Sequence, residues 1–181
     1  IWKTMVYDRD DTVGMDAAIM MNPKVWEASG HTAAFTDPLV ECKTCHMRFR
    51  ADHPDEIESH EKEHKSKKEK VEWSDPKKFN LLVEAKIGAV EGEKSTIYLR
   101  GEITQGVHVN FKNILDVSRK KLPFGVIQLG KAFRNEITPG NFTFRSREFE
   151  QMELQYYIRP NEQESRKWFE YWKEERKKWY L

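Results

Sequence analysis

A chain of 181 residues is long enough for one main domain with a proper core and a small satellite, and too short for several large domains. Its 31 lysines and arginines against 30 acidic residues leave a net charge of +1, which excludes a global pull toward nucleic acid or anionic membrane and confines any RNA contact to a local patch. With 34% charged residues but 38% hydrophobic and 12% aromatic, the composition excludes a disordered chain and implies a folded one with a very polar surface.

No apolar stretch approaches the ~20 residues needed to cross a bilayer, and no charged-then-apolar leader opens the sequence, so a soluble cytoplasmic protein with no membrane partner is expected. The chain opens at Ile1, with Trp2 following at once, as a start inside a longer protein would. Through residues 1–40, Val13, Met15, Ala17, Ala18, Ile19 and Met20 precede Pro23, which predicts a buried segment of mixed helix and loop that the proline stops. Over 41–72 the composition shifts to Lys, Glu and His, with Ile57 and Val71 the only bulky aliphatics after Phe49, so this stretch reads as a polar insertion. Pro54, Asp55 and Glu56 supply the start signal of a helix over about 55–70.

The region 73–181 carries strand-like apolar runs at 97–99, 107–111, 124–133 and 142–158, with a short helix over 112–122 stopped by Pro123. The turn Thr138-Pro139-Gly140-Asn141 makes the last two runs a long antiparallel hairpin. Trp168, Trp172 and Trp179 fall at helical spacings on a Lys/Glu/Arg background, an amphipathic helix whose stripe is packing material. The expected fold is α+β around an antiparallel sheet.

The insertion holds both cysteines. Cys42 and Cys45 are too close for a useful cross-link and point to a metal or redox role in a reducing compartment. Followed by His60-x-x-x-His64 on one helical face, they have the ligand types and spacing of a tetrahedral Zn2+ site, with His46 and His53 as alternative ligands. A metal clamp would account for order in a segment with almost no core of its own. The bland alternative is two free thiols and two solvated histidines. His60-Glu61-Lys62-Glu63-His64 also spells the H-E-x-x-H of zinc proteases, but that helix needs a dry setting and a third ligand downstream, whereas Lys62, Glu63, Lys65, Lys67 and Lys68 surround it here. A finger that docks nucleic acid is a further reading.

Strand parity puts Arg134 and Glu136 on one face of the hairpin, and Arg145, Arg147, Phe149, Gln151 and Glu153 on one face of its second arm. Phe144, Met152, Leu154 and Tyr156 take the opposite, core-facing parity. Cross-strand ion pairs would explain the charges but leave Phe149 awkward. A nucleotide site explains it, since a ring stacks on a base while arginines meet phosphate oxygens.

Phe133-Arg134-Asn135-Glu136, a turn, then Arg145-x-x-x-Phe149-x-x-x-Glu153 resembles motif 2 of class II aminoacyl-tRNA synthetases. Through 9–11, 14–31, 35–40, 49–53, 78–82 and 98–158 the chain resembles the homodimeric glycyl-tRNA synthetases, over almost its whole length and least in the insertion, where family members often carry a cysteine pair. The resemblance implies an antiparallel sheet flanked by helices with a small zinc-binding insertion, and a homodimer through the motif 1 region at 23–31. It implies that ATP, with Mg2+, is held by Arg134 on the α-phosphate, Glu136 on the adenine amino group, Phe149 on the ring and Arg145 on the terminal phosphates. It further implies that Glu102, Gln105 and Glu153 bind glycine, with Arg134 and Glu102 central to catalysis, and that glycyl-adenylate passes its glycine to tRNA(Gly). Gly101, Ile103, Thr104 and Gly140 depart from the family's usual proline, threonine, alanine and arginine, the last touching a phosphate or acceptor-end contact. Motif 3, a second ATP-binding arginine and the anticodon-binding domain are expected beyond Leu181, so weak activity or none is expected of the chain alone. The alternative is a non-catalytic synthetase-like dimerisation or nucleic-acid-binding protein, against which the retention of these side chains argues.

Overall fold

A computed structural model describes residues 1–90 and 92–181. After a π-helical turn at Lys3–Tyr7, the elements in order are β1 (Thr12–Met15), β2 (Met20–Met21), α1 (Pro23–Ala28), α2 (His31–Ala34), β3 (Thr36–Glu41), β4 (Arg48–Arg50), α3 (Pro54–Ser66), β5 (Lys77–Asn80), β6 (Glu84–Ile87) and β7 (Ser95–Leu99). They continue with α4 (Thr104–Val109), α5 (Phe111–Ser118), β8 (Phe124–Phe133), β9 (Glu148–Tyr157) and α6 (Glu162–Tyr180). The strands form three three-stranded sheets, β1-β8-β9, β2-β7-β6 and β4-β3-β5. The chain is thus mixed α+β, but it has several small sheets where one was expected, and β1 pairs with β8 in parallel, Thr12 opposite Gly125 through Met15 opposite Gln128. Among the described residues no helix is long and apolar enough to cross a membrane.

The chain divides into two compact units. The first comprises residues 1–17, 103–130 and 152–181. Its core is Val107, Ile114, Phe124 and Val126, with Val13, Met15, Phe111, Leu115, Leu122 and Tyr157 packed around them. α6 is capped by Asn161, whose side chain accepts from the Gln163 and Glu164 amides, and acids in its first turn with lysines in its last complement the helix dipole. The second unit comprises residues 18–102 and 131–151. It is built on Met21, Trp26 and Leu82, with Val25, Phe35 and Tyr98 against them. At the base of the insertion, Arg50 on β4 ties β3 to the following turn, pairing with Asp37 at 2.7 Å and with Asp52 at 2.7 Å.

Several expectations are corrected. Pro23 starts α1 instead of stopping a buried segment: it occupies the first helical turn, where a missing N–H costs nothing, and Asn22 caps it by accepting from Lys24 N at 3.0 Å. Ile19 and Met20, expected inside, are exposed. The run at 107–111 is not a strand, since it ends α4 and begins α5. Phe142 and Phe144 lie outside β9 and are almost fully exposed, and Met152 is exposed as well, so the greasy face of the hairpin reduces to Leu154 and Tyr156.

Candidate active site and candidate metal centre

β8 ends at Phe133 and β9 begins at Glu148, so Arg134, Glu136, Arg145 and Arg147 sit in the irregular part of the hairpin, beyond both strands. Arg134 N donating to Arg147 O at 2.9 Å, Arg147 Nε donating to Glu136 O at 3.2 Å and the isolated Gly140–Arg145 bridge help to hold it closed. Strict parity therefore does not govern these residues. The hairpin instead brings Arg134 to Phe149 and Arg145 to Glu136.

The Arg134 guanidinium lies between two rings, 5.2 Å from Phe149 and 5.3 Å from Phe35, and its Nε donates to Gly101 O at 3.2 Å. Among the described residues no carboxylate pairs with it. A half-buried cation held by aromatic faces and one carbonyl, with its remaining N–H donors unclaimed by an acid, is arranged to receive an anion. Gly101 stands against the same ring, where a Cβ would meet Phe35 Cε1 at 3.0 Å and Leu82 Cδ2 at 3.2 Å. Arg145 is loosely held, 3.9 Å from both Glu56 and Glu136. Glu136 is well covered, its side chain 14% exposed.

Of the residues assigned to glycine, Glu102 belongs to the second unit, where its carboxylate lies 3.3 Å from His31 Nε2. Gln105 and Glu153 belong to the first unit. There Glu153 accepts from the Thr104 hydroxyl and from Gln155 Nε2 at 3.1 Å, while Gln105 occupies the second position of α4, half-buried.

Cys42, Cys45, His60 and His64 come together, their ligand atoms all within 4.8 Å of one another. Cys45 Sγ and His60 Nε2 are 3.4 Å apart, a separation suited to neighbouring ligands on a tetrahedral ion. Burial acts to raise the Cys42 thiol, but the Cys45 and Thr44 backbone amides outweigh it and hold the thiol below its ordinary range, toward the thiolate that binds metals. Burial, with His64 beside it, pushes His60 down toward the neutral imidazole that also binds them. Phe49 and Trp73 wall the site, their rings 4.6 Å and 5.6 Å from that of His60. His46 and His53 are turned away to Glu41 and Glu56, which removes them as alternative ligands. The donor set fits a metal. With four protein ligands it leaves no open position for a hydrolytic water, and Glu61 accepts from Trp73 Nε1 at 2.9 Å, so the H-E-x-x-H reading fails.

Sequence reasoning missed three neighbours. Glu69 Oε2 lies 2.7 Å from His64 Nδ1, an ion-pair distance although the ring N–H is not aimed along it. No periodicity signals this acid, because it is brought back by the left-handed turn at Lys68 after the helix end, with Glu69 N donating to His64 O at 3.0 Å. Phe35 and His31 were hidden in the first 40 residues, where sequence gives no hint of which rings face the hairpin.

Comparison with known proteins places the chain among the aminoacyl-tRNA ligases. No protein-family model matches the chain. Glycine–tRNA ligases do: that of Treponema denticola is 49% identical over 187 residues, that of Streptomyces coelicolor 47% over 190 and that of Geobacillus thermodenitrificans 46% over 202. Each match takes in 99% of this chain and 39%, 41% and 43% of the relative respectively. The chain belongs to the glycine–tRNA ligase family, and it spans about two fifths of the length of the curated relatives it matches.

Proposed function

We propose that the chain is the part of a cytoplasmic glycine–tRNA ligase that binds ATP and glycine and forms glycyl-adenylate, before glycine passes to tRNA(Gly). The proposal includes the class II fold and a homodimer formed through the motif 1 region. The observation that carries it is the Arg134 guanidinium, placed between Phe35 and Phe149 without a carboxylate partner among the described residues. In the reaction the glycine carboxylate attacks the α-phosphorus of ATP, the bond from that phosphorus to the bridging oxygen breaks and pyrophosphate leaves, and negative charge grows on the α-phosphate oxygens on the way. Arg134 meets that charge with fixed donors, which need no reorganisation as the charge develops. Phe149 stacks on adenine, Glu136 accepts from the adenine amino group and Arg145 reaches the terminal phosphates. Exchanging the loose ion pairs of Arg145 with Glu56 and Glu136 for a phosphate costs little, because pairs at 3.9 Å are weak. Glu102, Gln105 and Glu153 receive the glycine, the carboxylates offsetting the lost hydration of its ammonium group. Mg2+, when bound with ATP, neutralises charge on the phosphates. Cys42, Cys45, His60 and His64 would hold a structural Zn2+.

The non-catalytic alternative gives no reason for an acid-free arginine beside an aromatic ring. Calorimetric titration with a glycyl-adenylate analogue tests the site. Arg134→Ala is expected to weaken binding about 10- to 100-fold, the loss of one or two charged hydrogen bonds. Equal binding by the variant and the parent would remove Arg134 from the site.

A further inference from the structure

We infer that His31 is a positioning residue for the substrate's ammonium group, the middle of a Ser29–His31–Glu102 relay that holds the Glu102 carboxylate in place. The inference rests on the proposed role of Glu102 and goes beyond it.

The local chain builds the relay. Ser29 closes α1, Gly30 turns the backbone with φ at +80°, and His31 opens α2. That left-handed turn strains any residue with a side chain, and it sets the serine and the histidine side by side two positions apart. Ser29 Oγ lies 2.8 Å from His31 Nδ1, and His31 Nε2 lies 3.3 Å from Glu102 Oε1. The imidazole is fixed on two more sides, edge-on to Trp26 with centroids 5.2 Å apart and tilted on Phe35 at 5.1 Å. Its backbone carbonyl, with that of Thr32, accepts from Asn80 Nδ2.

This arrangement selects one tautomer. The Ser29 hydroxyl also lies 3.3 Å from Trp26 O, but Nδ1 is the nearer acceptor. With the hydroxyl donating to Nδ1, the ring proton sits on Nε2 and donates to Glu102. An imidazole N–H suits that position, since it aims the carboxylate toward an incoming ammonium. The Phe35 ring that packs on His31 also carries the Arg134 guanidinium, so one small helix supports both the acid assigned to glycine and the cation assigned to phosphate.

Glycine-dependent pyrophosphate exchange by the full-length protein tests the relay. His31→Phe keeps a ring against Trp26 and Phe35 while removing both nitrogens. It is expected to raise the KM for glycine about tenfold, with the KM for ATP unmoved, as loss of one hydrogen bond to a charged group requires. His31→Gln places an amide donor within reach of Glu102 and should recover most of that loss, and Ser29→Ala should raise the glycine KM by about 2- to 3-fold through the tautomer. A matched thermal midpoint for His31→Phe shows that packing is preserved. The relay is overturned by an unchanged glycine KM in His31→Phe, by equal rises in the KM of glycine and of ATP, or by His31→Gln behaving no better than His31→Phe. Glu102→Gln separates the two levels. If it keeps the parental glycine KM, the role of Glu102 itself falls; if it loses glycine saturation while His31→Phe keeps it, only the relay falls.

Discussion

Phe149 must serve two neighbours, the Arg134 guanidinium 5.2 Å from its ring and, under the proposed function, the adenine of ATP. Both demand a π-face and neither demands mere bulk, so volume and aromaticity can be separated. Phe149→Leu keeps apolar volume and loses the ring. Base–aromatic stacking contributes about 1–3 kcal/mol, so the KM for ATP in pyrophosphate exchange should rise roughly 5- to 100-fold while the KM for glycine stays near the parental value. An unaltered KM for ATP would leave the ring as packing for Arg134 alone. Phe149 could be singled out from sequence because a large apolar residue stood among charges of its own parity. Phe35 carried no such flag: one aromatic among many apolar residues is invisible until its neighbour Arg134 is located in space.

Among elements, α3 is the most exposed to a test. The residues it buries are His60 and His64. A 13-residue helix that buries two imidazoles and little apolar surface gains little from the hydrophobic effect, and isolated helices of that length are marginal in water. A metal ion would supply what packing does not, since ligand binding that exists only in the folded state is itself folding free energy. Removing zinc with a strong chelator, or replacing Cys42 and Cys45 by serine, should therefore lower the helical circular-dichroism signal and strip amide-exchange protection from α3, with β8 keeping its own. Unchanged helix content after treatment, in protein shown by elemental analysis to hold no metal, would leave the cluster without a structural role. The legible elements were those with a local cause. Pro54, Asp55 and Glu56 announced α3, tryptophan spacing announced α6, and a near-continuous apolar run gave β8 from 124 to 133 as observed. Val107-His108-Val109 misled because alternation over three residues suits a strand as well as a helix. Long-range contacts decided it: Val107 is fully buried in the core, and Gly106 lies so close to Ala17 that a Cβ there would come within 2.5 Å of the Ala17 Cβ. The candidate metal ligands were readable because cysteine and histidine are sparse, while the neighbouring Glu69 was one acid among thirty.

At the scale of the molecule, the first compact unit is assembled from three separate stretches of chain, and the side chains of Arg9 and Asp11 fasten the first to the third. Arg9 donates to both Asp11 oxygens at 2.8 Å, lies over the Trp172 ring at 4.5 Å, donates to the Tyr171 hydroxyl at 2.8 Å and faces Glu175 at 3.6 Å. Tyr156 on β9 donates to Asp11 Oδ2 at 2.9 Å. The network matters because α6, which it grips, has no fully buried residue of its own. Burial pushes the Asp11 carboxyl up, but the hydrogen bonds from Arg9 and Tyr156 outweigh it and hold the carboxyl below its ordinary value. A carboxylate depressed in the folded state adds stability that is present above the unfolded value of about 4 and is lost as pH falls through the lower folded value. Asp11→Asn should therefore cost about 1 kcal/mol near neutrality, a figure kept small because the pair is partly open to solvent, and lower the thermal midpoint by about 2–4 °C. As pH is taken below about 4 the parent should lose this advantage and the two midpoints should converge. Thermal melts of both proteins at pH 7, 4 and 3 measure it; a gap that stays constant across that range would mean that the Asp11 charge contributes nothing to the hold on α6.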